Sequence, residues 1–224
     1  MHASAMENGK DFFDAYSPYV GDGQVTVAEV GSQNVNGSLR DVCPTRFEYV
    51  GLDFAEGNGV DVILDDPYRF PLSDQSVDIV VSSSCFEHAE MFWLTFLEIM
   101  RVLKPSGIFY LNAPSAGSFH RYPVDCWRFY PDSGKALIAW GRRNGISCEL
   151  LESYVHLGGS WQDFISVTIK DASFTKKYPR RIIDSRSDFV NGHRYGTREI
   201  EKYTELCQNE SKIQQIRGLT DIEY

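Results

Sequence analysis

An α/β fold with a largely parallel, doubly wound sheet is predicted for this chain, and three observations predict it. Short β-branched runs alternate with segments whose apolar residues fall at helical spacing, which is the signature of successive βαβ units. Glycine and acidic residues follow several of those runs, where an open sheet builds its ligand site. The last two runs have only a glycine turn between them and read as an antiparallel pair closing the sheet.

Taken in order, residues 25–30 (VTVAEV) read as the first strand, ended by Gly31, with a short helix predicted over 36–42. Residues 47–53 (FEYVGLD), 61–64 (DVIL) and 77–82 (VDIVVS) supply the next three strands. Between 89 and 103, Phe92, Trp93, Phe96, Leu97, Met100 and Leu103 share one helical face, and Lys104, Pro105 and Gly107 supply a stop. Residues 108–111 open a fifth strand, and 131–145 hold a helix with Pro131 near its start. Residues 147–155 and 164–170 form the closing pair, turning at Gly158-Gly159. Beyond about 172 the pattern degrades. The organisation expected is a main domain over 1–172 and a C-terminal appendage over 173–224, with weak helical periodicity across 199–217.

Composition narrows the function. A chain of 224 residues with 42% hydrophobic content can bury a core without disulfides or metal. The formal charge of −9 argues against nucleic acid as the main partner, because a phosphate backbone would be repelled. The basic stretch 176–198 then reads as a solvated surface or a homodimer contact. Five scattered cysteines with no C-x-x-C pair read as reduced thiols. The polar first ten residues lack the apolar core of a signal peptide, and no apolar run is long enough for a membrane span. A cytoplasmic location is expected.

Three features stand where a nucleotide-like cofactor needs them. Gly31 after the first strand lets a ligand approach the backbone, and the following turn presents free N–H groups. Asp53 ends the second strand and can accept hydrogen bonds from both hydroxyls of a ribose. Asp65-Asp66-Pro67 follows the third strand, where an acid can accept from an adenine amino group.

Residues 25–115 resemble the core of class I S-adenosylmethionine-dependent methyltransferases, especially the small-molecule, type 11-like group. Glu29-Val30-Gly31-Ser32 resembles the first motif, and Tyr49-Val50-Gly51-Leu52-Asp53 the ribose-binding strand. Residues 70–80 (FPLSDQSVDIV) resemble the approach to the fourth strand. Ser84-Cys85-Phe86-Glu87-His88 and Arg101-Val102-Leu103-Lys104-Pro105-Ser106-Gly107 are similar to the family's "LEH … R-V-L-K-P-G-G" stretch. The resemblance implies a Rossmann-like seven-stranded sheet and S-adenosylmethionine as cofactor. It implies that Glu29 reaches the methionine ammonium, that Gly31, Ser32 and Ser83 line the methionyl pocket, that Asp53 holds the ribose, and that Asp66 and Pro67 face the adenine. The family's E-x-G-x-G-x-G here reads E-V-G-S-Q-N-V, with Gly37 later. A different loop path is therefore expected, with Asn34 and Asn36 tolerating the unusual backbone angles.

Methyl transfer is an in-line displacement that depends on positioning and on a base for the acceptor. Residues 115–131 (SAGSFHRYPVDCWRFYP) gather His, Arg, Asp, Trp and Tyr into one loop after the fifth strand, and resemble a stretch found in a subset of these enzymes. His120 is the first choice for a base, since an imidazole titrates near neutral pH. His156 is a second candidate, and Asp125 can orient His120 or Arg128 or bind substrate. Arg121, Trp127, Arg128 and Tyr130 are the residues expected to grip a small acceptor, such as a sugar or natural-product intermediate. No acid or histidine spacing suggests a metal site, so metal-independent transfer is expected. A nicotinamide oxidoreductase is disfavoured by the missing G-x-G-x-x-G and Tyr-x-x-x-Lys patterns, and a binding protein without catalysis remains the alternative.

Overall fold

A helix not foreseen from the sequence opens the chain. In the computed structural model, which describes residues 2–205, α1 spans Ala3–Tyr16. Its buried positions Ala5, Asn8, Gly9, Phe12, Phe13 and Tyr16 recur at helical spacing. The Phe12 ring stacks on Tyr110 at 4.6 Å. Polar residues on the other face, Lys10 and Asp14 among them, mask this stripe in the sequence.

The strands follow as β1 (Thr26–Val30), β2 (Glu48–Asp53), β3 (Val62–Ile63) and β4 (Val77–Ser83). The 36–42 helix is a single 3₁₀ turn, Leu39–Val42, whose Arg40 N–H donates to the Ser38 hydroxyl. Then come α2 (Phe92–Val102), β5 (Leu103–Pro114), α3 (Asp132–Arg143), β6 (Glu149–His156) and β7 (Asp163–Ile169). The helix ends at Val102, where the Lys104-Pro105-Gly107 stop predicts, but β5 takes over directly from α2 at Leu103 and not at 108.

The strands form one sheet in the order β3-β2-β1-β4-β5-β7-β6, extended by an eighth strand, β8 (Phe189–Arg194). β1 to β5 run parallel, while β7 is antiparallel to both β5 and β6. The fold is thus the expected α/β Rossmann-like arrangement of seven core strands, with β8 added antiparallel on the β6 edge. The strand order reverses between β1 and β4, so the switch-point crevice opens at their carboxyl ends. The periodicity read over 199–217 falls mostly outside the described residues.

Strand alternation feeds two cores. Along β5, Phe109, Leu111 and Ala113 join Phe96, Ile99 and Met100 of α2 on one face. Ile108 and Tyr110 turn to the other face, with Phe12, Phe13 and Tyr16 of α1. Residues 178–194 close that second face through one buried acid. Glu152 of β6 accepts from the Tyr16 hydroxyl at 2.6 Å and from the Ile182 and Ile183 N–H groups at 2.8 and 3.2 Å. Glu152→Ala would leave three buried donors unpaired, and a cost of about 3–5 kcal/mol is expected. Urea unfolding of the variant measures it, and a loss below about 1 kcal/mol would show that the three contacts are not coupled.

Candidate active site

A cavity of about 810 Å³ opens where the carboxyl ends of β1, β2 and β4 meet. Its floor is the Gly31 turn. Gly31 has φ +80, and a Cβ there would stand 2.5 Å from Cys85 Cβ, so only glycine fits. The loop that follows does take another path from the glycine-rich motif, by a device other than the expected one. Among residues 32–37 only Gly37 has a positive φ, so Asn34 and Asn36 supply no unusual angles. Side-chain hydrogen bonds shape the loop instead. The Gln33 N–H donates to Asp53 Oδ2 at 3.0 Å, and the Gly37 N–H to Asn34 Oδ1 at 2.8 Å.

Of the residues expected to bind the cofactor, Glu29, Gly31, Ser32, Asp53, Pro67 and Ser83 all line this cavity. The Ser32 and Ser83 hydroxyls are buried with no hydrogen-bond partner, which favours a polar ligand beside them. Asp53 spends one lone pair of each oxygen on the Gln33 and Ala55 N–H groups. A carboxylate has about four acceptor sites, so capacity remains for two hydroxyls. Asp66 is placed differently. It lies outside the lining, and its Oδ1 accepts from the Tyr68 N–H at 2.9 Å, capping the turn that carries Pro67 and Tyr68 into the cavity wall.

Glu29 is buried, accepts from the Tyr49 hydroxyl at 2.9 Å, and is pushed up to about 7 by that burial. The folded chain therefore holds a proton that the unfolded chain gives up near pH 4.5. Its contribution to stability is full below that pH and falls as the pH rises through about 7. The total loss is about 3 kcal/mol by pH 8. Glu29→Gln is expected to flatten the fall in stability between pH 5 and 8 by that amount. Equal slopes in denaturant unfolding of both proteins would remove Glu29 as the cause.

The loop 115–131 folds over the other end of the cavity and is organised by Asp125. Arg128 grips the Asp125 carboxylate at 2.6 and 2.9 Å and holds it down at about 2. The same carboxylate accepts from the His120 N–H at 2.7 Å and lies 3.3 Å from His120 Nδ1. Asp125 thus orients both residues that the sequence left open. His120 and Arg121 line the cavity, whereas Asp125 and Arg128 stand behind them. Trp127 and Tyr130 also lie outside the lining. The Trp127 indole donates to the Ala89 carbonyl and packs edge-on to Phe92 at 5.4 Å, while the Tyr130 side chain is exposed. His156 is not brought to the site either, because its Nε2 is held by Asp188 at 3.0 Å and Arg186 at 2.9 Å.

Sequence reasoning missed the aromatic residue that packs on His120 and the ring stacked behind it. Trp161 packs 4.7 Å from the His120 ring and stacks parallel to His2 at 5.4 Å, so residues from three distant parts of the chain wall the mouth. The signal available was Gly158-Gly159, which marks a loop at the sheet's carboxyl edge carrying a large aromatic. His88, after β4, also lines the cavity.

The sequence profile of the methyltransferase domain family matches residues 25–111, from β1 through most of β5. That match takes in less than half of the chain. The orphan serine hydroxyls and spare acceptor sites of Asp53 fit S-adenosylmethionine, the cofactor that the sequence resemblance implies. The chain is 32% identical over 89 residues to the malonyl-[acyl-carrier protein] O-methyltransferase of Methylococcus capsulatus. That alignment takes in 34% of this chain and 32% of the relative, so the chain spans about a third of that protein's length. The 1,6-didemethyltoxoflavin-N1-methyltransferase of Burkholderia thailandensis has the same fold, with a TM-score of 0.56 and 13% identity over 75% of this chain and 78% of that one. A S-adenosylmethionine-dependent methyltransferase of Archaeoglobus fulgidus superposes at 0.53 with 17% identity, covering 74% and 94% of the two chains. These two likenesses carry the fold only. The segment matched by the family profile supplies the cavity floor, and residues outside it, from 115–131 and 161, supply the far wall.

Proposed function

We propose that this chain transfers a methyl group from S-adenosylmethionine to an oxygen or nitrogen atom of a small molecule. One observation carries the reading. A single cavity joins the orphan hydroxyls of Ser32 and Ser83 and the Asp53 carboxylate at one end to the His120 loop at the other. The cofactor, when bound, supplies an electrophilic methyl group. Asp53 binds the ribose hydroxyls, and Ser32 and Ser83 hold the polar methionyl end. Trp161 and His2 exclude water at the mouth, which strengthens the electrostatic contacts inside. His120 faces the acceptor. Its Nδ1 stands 3.2 Å from the Ser118 carbonyl and 3.3 Å from Asp125, so the proton sits there and Nε2 presents a lone pair for the acceptor's proton.

The cavity volume of about 810 Å³ and the polar and aromatic residues at its far end suit a small acceptor, such as a sugar or natural-product intermediate. Among the described residues no helix is long and apolar enough to cross a membrane. Calorimetric titration with S-adenosylmethionine, S-adenosylhomocysteine and NADH tests the reading. Saturable binding of the first two and none of NADH is expected. Binding of NADH alone, or of none of the three, overturns it.

A further inference from the structure

Two adjacent side chains meet a third from more than thirty residues away beside the acceptor end of the cavity, which His88 and His120 line. Glu87 and His88 follow β4, and His120 arrives from the loop after β5. One nitrogen or oxygen from each lies within 4.8 Å of the other two. The two imidazole rings pack edge to face at 4.9 Å.

The outer contacts of the two rings matter as much as their proximity. His88 sets its Nδ1 against the Val124 carbonyl. His120 sets its Nδ1 beside the Ser118 carbonyl and the Asp125 carboxylate, as described above. Donation from Nδ1 leaves Nε2 unprotonated in both rings. Carbonyl and carboxylate partners on the far nitrogen are the arrangement that orients metal-binding histidines. Glu87 adds an oxygen donor. Its side chain is 2% exposed, Oε1 stands 3.7 Å from His88 Nε2, and Oε2 is buried without any hydrogen-bond partner. An orphaned carboxylate oxygen is costly to bury, and a cation between it and two imidazole lone pairs would offset that cost.

We propose that Glu87, His88 and His120 bind a divalent transition-metal ion at the acceptor end of the cavity. Two imidazoles and one carboxylate are the donor set of open zinc and ferrous sites, in which three protein ligands leave a position for water or substrate. Ligand atoms about 2.0–2.1 Å from a tetrahedral ion stand roughly 3.3 Å apart, so the three side chains close in by about an ångström on binding. What the ion does there rests on the methyltransferase reading. An acceptor hydroxyl in the open position loses its proton to water more readily. The freed oxygen pair forms the new C–O bond as the methyl–sulfur bond breaks, and the sulfur leaves as a neutral thioether. His120 then serves as a ligand, and the ion takes over from it the task of lowering the acceptor's proton affinity.

Calorimetric titration of chelator-treated full chain with zinc chloride is the test. One equivalent is expected to bind with micromolar or tighter affinity. His88→Ala and His120→Ala should each weaken it at least about tenfold, and Asp125→Asn about tenfold through the His120 ring. Cobalt(II) gives a second readout, an absorption band of four-coordinate type that His120→Ala abolishes. Millimolar zinc affinity, or affinity unchanged in both histidine variants, overturns the proposal. S-adenosylhomocysteine titrated into the same preparation keeps the two readings apart. Its binding without zinc binding would retain methyl transfer and discard the ion, and zinc binding alone would do the reverse.

Discussion

Asp53→Ala is expected to raise the Kd for S-adenosylhomocysteine more than tenfold while the chain stays folded. Two hydrogen bonds from ribose hydroxyls to a carboxylate contribute about 1.5–3 kcal/mol each, and every 1.4 kcal/mol is a factor of ten. The same substitution releases the Gln33 and Ala55 N–H groups, which Asp53 now satisfies at 3.0 and 3.2 Å. A stability loss of about 1–2 kcal/mol should accompany it. Asp53→Asn keeps an oxygen for one of those groups and is expected to fall between the wild type and the alanine variant. Calorimetry and urea unfolding on the three proteins decide the matter. Unchanged affinity in the alanine variant would remove the ribose assignment.

Gly31→Ala is expected to abolish measurable cofactor binding and to destabilise the fold by about 2–5 kcal/mol. Two effects add. A side chain at φ +80 costs roughly 1–2 kcal/mol in the left-handed region. The new methyl would also lie 2.5 Å from Cys85 Cβ and 2.6 Å from its sulfur, an overlap worth about 1–3 kcal/mol. Cβ is anchored to the backbone and cannot swing aside, so the turn after β1 must move, and the cavity floor with it. Cys85→Gly in the same chain removes both clashing atoms and should restore part of the lost stability. If the double variant is no more stable than Gly31→Ala, the collision with Cys85 is not the cause.

The sheet was legible chiefly where its strands are β-branched runs bounded by glycine, proline or acid, as β1, β4 and β7 are. Residues 77–83 show this plainly, since Val77, Ile79, Val80 and Val81 are all buried there. α1 was not legible, because charged residues dilute the Phe12–Phe13–Tyr16 stripe. β8 was hidden for a different reason. Its sequence FVNGHR carries Asn191 at φ +53 and Gly192, which read as a turn. In the site, residues tied to strand ends fell where expected, as Glu29, Gly31, Asp53 and Ser83 did. Asp66, Trp127 and His156 did not, because where a side chain points from a loop or a last strand residue depends on its tertiary partners. Asp188 and Arg186, which hold His156, lie 30 or more residues away from it. The meeting of Glu87 and His88 with His120 is equally non-local, and no spacing rule reveals it.

β8 has a consequence for how the molecule behaves in a crowded solution. Open sheets recruit further strands at their free edges, the common route to unwanted aggregation. Here one edge is β3, only two residues long. The other, β8, is clipped by the chain's own return: Gly192 and Glu201 exchange backbone hydrogen bonds at 2.9 and 2.8 Å, and the Asn191 side chain bonds the Thr204 backbone on both its oxygen and nitrogen. Among the described residues, neither margin offers a long row of free donors and acceptors.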